Sequence, residues 1–125
     1  MDFNNGMVGF TDWNIILDET GGPNHVQNFC FAPVHGDTKT GQLIYTNAYY
    51  YIGHFSKFIQ PGAKRIISSP SRSQFLSTAF LNPDGTVAII VMNQGNSTSP
   101  VYLWVKGKAV KVTSRAHSIS TYIIK

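Results

Sequence analysis

Residues 53–66 read GHFSKFIQPGAKRI, and the hydrophobic period changes inside this stretch. Upstream of Pro61-Gly62, Ala48, Tyr51, Ile52, Phe55, Phe58 and Ile59 recur at helical spacing. With Thr46 or Asn47 as N-cap, that spacing predicts a helix ending at Pro61-Gly62, with Lys57 in the last turn where a cation suits the helix dipole. Downstream the period shortens to that of strands. Residues 64–68, 75–81, 86–92, 101–105, 109–113 and 118–124 are short β-rich runs separated by turn residues. Asn82-Pro83-Asp84-Gly85 is a strong hairpin signal, because Pro presets φ and Gly accepts φ > 0. Strands at this spacing predict an antiparallel β-sandwich or meander.

Residues 7–16 form an apolar run with few alternating polar positions, the pattern of a strand covered on both faces as in a parallel sheet. After it come a Gly21-Gly22-Pro23 turn and a passage to about Leu43 that reads as one long irregular loop, a length usually kept for function. Strand, long loop and helix make one β/α unit, with the loop at the strand's C-terminal end. The expected division is residues 1–60 as the last strand, loop and helix of a TIM-type barrel, and residues 61–125 as a C-terminal β-sandwich domain. One such unit cannot cover both faces of a parallel strand, and a closed eight-unit barrel takes about 250 residues. The fold class is therefore mixed, α/β followed by all-β, with the barrel incomplete.

Composition narrows the partners. Ten Lys and Arg against six Asp and Glu give a net charge of +4, but no cationic run exceeds Lys64-Arg65, so a phosphate track and nucleic-acid binding are not expected. No apolar run reaches the roughly 20 residues of a membrane helix, so no membrane span is expected, and MDFNNGMVGF has no signal-peptide pattern. Cys30 is the single cysteine, with no cation beside it in sequence to activate the thiol. His25, His35, His54 and His117 lack zinc-ligand spacing, so neither a metal nor any other cofactor is expected, and His54 on the helix reads as a packed structural residue. Asn96-Ser97-Thr98 fits a glycosylation acceptor but reads better as a hairpin loop.

GFTDWNIILDETGGPNHVQNF (residues 9–29), GHFSKFIQPGAKRI, LNPDGTVAIIVMNQ and SISTYI, taken in order, resemble the C-terminal end of glycoside hydrolase family 30. That family contains glucosylceramidase and β-1,6-glucanases. The resemblance implies a (β/α)8 barrel joined to a β-sandwich, and a parent enzyme, secreted or periplasmic, that is a retaining β-glucosidase. Its partners would be a β-glucoside, either a glucosyl lipid or a β-glucan, and the missing N-terminal barrel of the same protein. It also implies that strands from before the barrel complete the sandwich, leaving this chain's sheet with an unprotected edge and the protein prone to aggregate. GDTKTGQLIYTN and NFCFAPVH look more like bacterial members, and the choice between β-1,6-glucan and glucosyl lipid stays open.

Retaining glycoside hydrolysis uses two carboxyl groups about 5–5.5 Å apart. By the resemblance both are glutamates on earlier barrel strands, so no catalytic residue is expected in this chain. Glu19, its sole Glu, follows the strand rather than lying in either catalytic motif, and with Asp18 it reads as a solvated turn. What the resemblance places here is one wall of a sugar pocket. Trp13 would pack its ring on the C–H face of a pyranose, and Asn28 would hydrogen-bond sugar hydroxyls, with Phe29 and Cys30 at the rim. Asp12, at the functional end of a barrel strand, would accept hydroxyl hydrogen bonds or order the pocket, although Asp12 and Asn14 read equally as loop caps. The alternative function is a non-catalytic β-sandwich module that binds carbohydrate through Tyr102 or Trp104, or supports another domain.

Overall fold

The computed structural model describes residues 2–22 and 24–125, so Pro23 of the expected Gly-Gly-Pro turn lies outside the described residues. The chain separates into two compact units, residues 6–53 and residues 2–5 with 54–125.

In the larger unit, β4 (Lys64–Ile66), β5 (Phe75–Leu81), β6 (Val87–Asn93) and β9 (Ser118–Ile124) form an antiparallel sheet in the order β4-β5-β6-β9. A second sheet is the hairpin of β7 (Ser99–Val105) and β8 (Lys108–Ser114). The expected β5 and β9 bounds match, and the other expected strands shift by one to two residues at their ends. Residues pointing one way from the four-stranded sheet, Phe75, Ala79, Val87, Ile89 and Val91, pack on Leu103 of β7 with Val101, Val105 and Val112 around them. The opposite face is covered as well. Phe80, Ala88 and Ile90 are buried there, with Phe3 edge-on to Phe80 at 5.7 Å and stacked on Phe55 at 5.1 Å. Burial on both faces explains why β6 reads as the unbroken run VAIIVM instead of alternating.

Two buried asparagines hold the connections. Asn82 accepts from Gln60 N–H at 3.0 Å and donates to Phe58 O at 3.1 Å and Thr86 Oγ1 at 3.0 Å. It thereby pins the residues after the helix to the β5–β6 turn, where Gly85 takes the φ of +83° that the sequence required. Asn93, wholly buried, donates to Ser97 O, Ser114 O and Arg115 O and accepts from Gly95 N–H. The β7–β8 turn places both Lys106 (φ 49°) and Gly107 (φ 79°) at positive φ, the primed geometry that matches strand twist. Among the described residues no strand pairs with the other edge of β7. That edge borders an open groove of about 740 Å³ between β7 and the β4–β5 connection.

The smaller unit departs from expectation in two ways. Residues 7–15 form no strand, and the first strand, β1, is only Ile16–Asp18. Val8, Phe10, Trp13 and Ile15 lie exposed, because no neighbouring strand among the described residues supplies the ladder and the two covered faces that such a run needs. The passage to Leu43, in turn, is not one irregular loop. It contains β2 (Val34–Asp37), parallel to β1, and β3 (Gln42–Tyr45), antiparallel to β2. Gly36 fits between Ile16 and Leu43, each with a methyl carbon 3.9 Å from where its Cβ would be. The helix α1 spans Asn47–Ser56, three residues shorter at its end than expected, since Phe58 and Ile59 both turn back to Phe55 O in the closing turn. Thr46 does not cap it with its side chain: the hydroxyl and the N–H both go to Pro33 O, at 2.9 and 3.0 Å.

Candidate functional site

The candidate residues lie in two parts of the smaller unit. Trp13 and Asp12 sit in the exposed approach to β1, outside any strand, so the expected burial of Trp13 on a strand does not occur. Its side chain is 74% exposed, and Asp12 Oδ1 accepts from the Trp13 N–H at 2.8 Å, a local turn that fixes the backbone beneath the ring.

Asn28, Phe29 and Cys30 occupy the loop between β1 and β2. The loop is drawn shut by a bridge between Gly22 and Cys30, with Gly22 N–H donating to Cys30 O at 3.1 Å. Gly21 makes the closure possible. It stands at φ +76°, and a Cβ there would lie 2.6 Å from Cys30 O and 2.9 Å from Phe29 O. The Cys30 thiol donates to Asn28 Oδ1 at 2.8 Å, which holds the amide oxygen of this exposed side chain. Phe29 is 58% exposed beside them, and Cys30 is an exposed free thiol, not a core residue. Among the described residues, no hydrogen bond or ring contact joins Trp13 or Asp12 to the Asn28–Cys30 group.

The acidic residues behind this loop are structural. Glu19 is more than a solvated turn residue: Oε2 accepts from Thr38 N–H at 3.0 Å and Oε1 from the Thr38 hydroxyl at 2.8 Å. The Thr38 amide bond foremost holds the Glu19 carboxyl below its ordinary range, outweighing the upward push of the nearby Asp37 charge. Asp18 is lowered by the Thr20 hydroxyl and N–H, and Asp37 by Thr40 and the Lys39 N–H. Hydrogen bonds that prefer the charged form make these poor proton donors at neutral pH. Sequence reasoning missed the Glu19–Thr38 clamp, which joins positions nineteen residues apart and leaves no local signal. His54 belongs to the larger unit, its Nδ1 at 2.9 Å from Thr121 Oγ1, and burial lowers its pKa. Among the described residues, no three His, Cys, Asp or Glu side chains gather as a metal site. No helix there is long and apolar enough to cross a membrane.

A short β/α unit is thus followed by an antiparallel β-sandwich-type pairing of two sheets. The family model of the glycosyl hydrolase family 30 TIM-barrel domain matches residues 1–59, and that of the family 30 β-sandwich domain matches residues 62–122. The chain belongs to glycoside hydrolase family 30.

Lysosomal acid glucosylceramidase of Mus musculus is 35% identical over 119 residues, covering 94% of this chain and 23% of the relative. The crystal structure of SrfJ from Salmonella typhimurium superposes with a TM-score of 0.93 at 32% identity, over 99% of this chain and 28% of that one. The endo-β1,6-glucanase BT3312 superposes with a TM-score of 0.81 at 26% identity, over 89% of this chain and 25% of that one. The chain thus spans about a quarter of the length of these relatives.

Proposed function

We propose that this chain supplies the last β/α unit, within residues 1–60, and the β-sandwich, within residues 61–125, of a retaining β-glucosidase acting on glucosyl lipids or β-glucans. The observation that carries the reading is the consecutive match of its two halves to the barrel and sandwich domains of one family. In this reading Trp13 is the hydrophobic platform for a pyranose ring, and its 74% exposure leaves the ring free for that contact. Asn28 directs its amide donors to sugar hydroxyls, held by the Cys30 thiol on its oxygen. Phe29 and Cys30 form the rim, and Asp12 orders the backbone under Trp13.

The catalytic pair belongs to the remainder of the barrel. Retention needs a nucleophile and an acid/base carboxyl close together, the latter with a raised pKa. Glu19 fits neither role, since its two oxygens are engaged by Thr38 and its pKa is lowered. The groove beside β7 is where further strands of the parent sandwich would lie, and the exposed Val8, Phe10 and Ile15 are where the rest of the barrel would pack.

Incubating the chain with a chromogenic β-glucoside tests this assignment. The expected result is no turnover above buffer. Turnover that disappears in Glu19→Gln would place the chemistry inside the chain and overturn the division of labour.

A further inference from the structure

The end of β3 and the first turn of α1 carry an aromatic cluster separate from the candidate pocket residues. The rings of Tyr45 and Tyr49 lie 4.7 Å apart, tilted by 60°, and Tyr50 meets Tyr49 edge-on at 5.4 Å. All three are exposed, at 46%, 41% and 58%. Because each ring touches the next, they make one continuous surface of ring faces and edges. The partly buried apolar residues of the helix are Ile52 and Phe55, and Phe55 stacks on Phe3 at 5.1 Å. Tyr50, two residues before Ile52 and five before Phe55, projects from the opposite side of the helix, so an element packed on Ile52 would leave it open.

Charge and ring chemistry select the occupant. No Asp, Glu, Lys or Arg occurs in residues 41–56, although the chain as a whole carries a net charge of +4. The surface therefore has no countercharge for a nucleic acid, an anionic lipid headgroup or an acidic glycan. Exposed tyrosines combine an apolar ring with a hydroxyl. That combination matches a pyranose, whose C–H face packs on a ring while its hydroxyls meet the phenol oxygens and water. A purely apolar partner would leave those phenol hydroxyls desolvated.

We propose that Tyr45, Tyr49 and Tyr50 form a second, non-catalytic binding surface for a neutral β-glucan chain. It takes from the reading above only the class of ligand. It shares no residue with the Trp13 and Asn28 pocket, and among the described residues no ring contact joins the two groups. Such a surface would hold polymeric substrate on the enzyme and raise its local concentration.

Titration calorimetry of the full chain with soluble β-1,6-glucan tests it. Binding is expected and should not change with salt, since no charge takes part. Tyr50→Ala should weaken it at least about fivefold, and Y45A/Y49A/Y50A should abolish it. Y45F/Y49F/Y50F keeps the rings and should keep most of the binding, which separates lost rings from lost fold. The Tyr50→Ala loss should be the same size in a Trp13→Ala background, as independent sites add.

No binding of the glucan by the wild type, or binding indifferent to the three tyrosines, would overturn the proposal. A Tyr50→Ala effect that vanishes in the Trp13→Ala background would also overturn it, while leaving the pocket reading standing. Self-association that Tyr50→Ala abolishes, with no glucan bound, would overturn it in favour of an interface between copies of the chain.

Discussion

Asn93→Ala should loosen the sandwich more than any surface change. The side chain is 0% exposed, and its two amide protons serve three carbonyls: Arg115 O at 2.9 Å, Ser97 O at 3.1 Å and, more distantly, Ser114 O at 3.3 Å. Its oxygen accepts from Gly95 N–H at 2.9 Å. Truncation removes about three net hydrogen bonds at roughly 1 kcal/mol each, and partners left buried without water raise the cost to about 3–4 kcal/mol. That is a large part of the 5–15 kcal/mol by which a domain is typically stable. Amide hydrogen exchange of β6 and β9 reads the effect locally, because the chain has two units and a single global midpoint would mix them. Opening should become at least about a hundredfold more frequent, at 1.4 kcal/mol per tenfold. Asn93→Asp should cost more, since a carboxylate oxygen would then face carbonyls. Exchange changed by less than about twofold in Asn93→Ala would refute the reasoning, because it would mean that the freed groups find other partners.

Three further outcomes follow from the same geometry. Gly21→Ala should open the loop that carries Asn28, as its Cβ would meet Cys30 O at 2.6 Å in a positive-φ position. Limited proteolysis should cut residues 21–30 faster, and an unchanged rate would contradict the closure described. Glu19 has a depressed folded pKa, so its contribution is present above its unfolded pKa and lost as pH falls through the folded value. Protection of the Thr38 amide, taken relative to its intrinsic exchange rate at each pH, should therefore fall on acidification in the wild type and be low at all pH values in Glu19→Ala. His54 is held neutral by burial, so its folded pKa lies below the ordinary 6.5 and the unfolded chain takes up its proton first. Stability should be full above about pH 6.5 and decline as pH falls below it, and His54→Gln, followed by thermal melting, should flatten that part of the profile.

The sandwich was legible because its strands carry their own information. In β5, β6 and β9 the apolar run, the turn residues and the partner strands all lie within about fifty residues, so local pattern and tertiary pairing agree. The start of the barrel part was not legible in the same way. Residues 7–16 have the composition of a doubly covered strand, but pairing and cover are properties of neighbours, and among the described residues the ladder with β2 is confined to Ile16–Asp18, with Ile15 O accepting from Val34 N–H at its start. β2 was hidden by its Gly and Asp content and is held by β1 and β3 on either side. At the candidate site, residue type and position pointed to Trp13 and Asn28 only through resemblance. The contacts that orient them, Asp12 to the Trp13 backbone and the Cys30 thiol to Asn28, required coordinates.

The most direct test of the central claim is a chimera in which this chain replaces the matched region of endo-β1,6-glucanase BT3312, whose fold it shares at a TM-score of 0.81. The account predicts a chimera that hydrolyses β-glucan and loses at least about tenfold in kcat/KM on Trp13→Ala with its melting temperature unchanged, one decade being about 1.4 kcal/mol of lost ring contact. A chimera equally active with and without the Trp13 ring would contradict it.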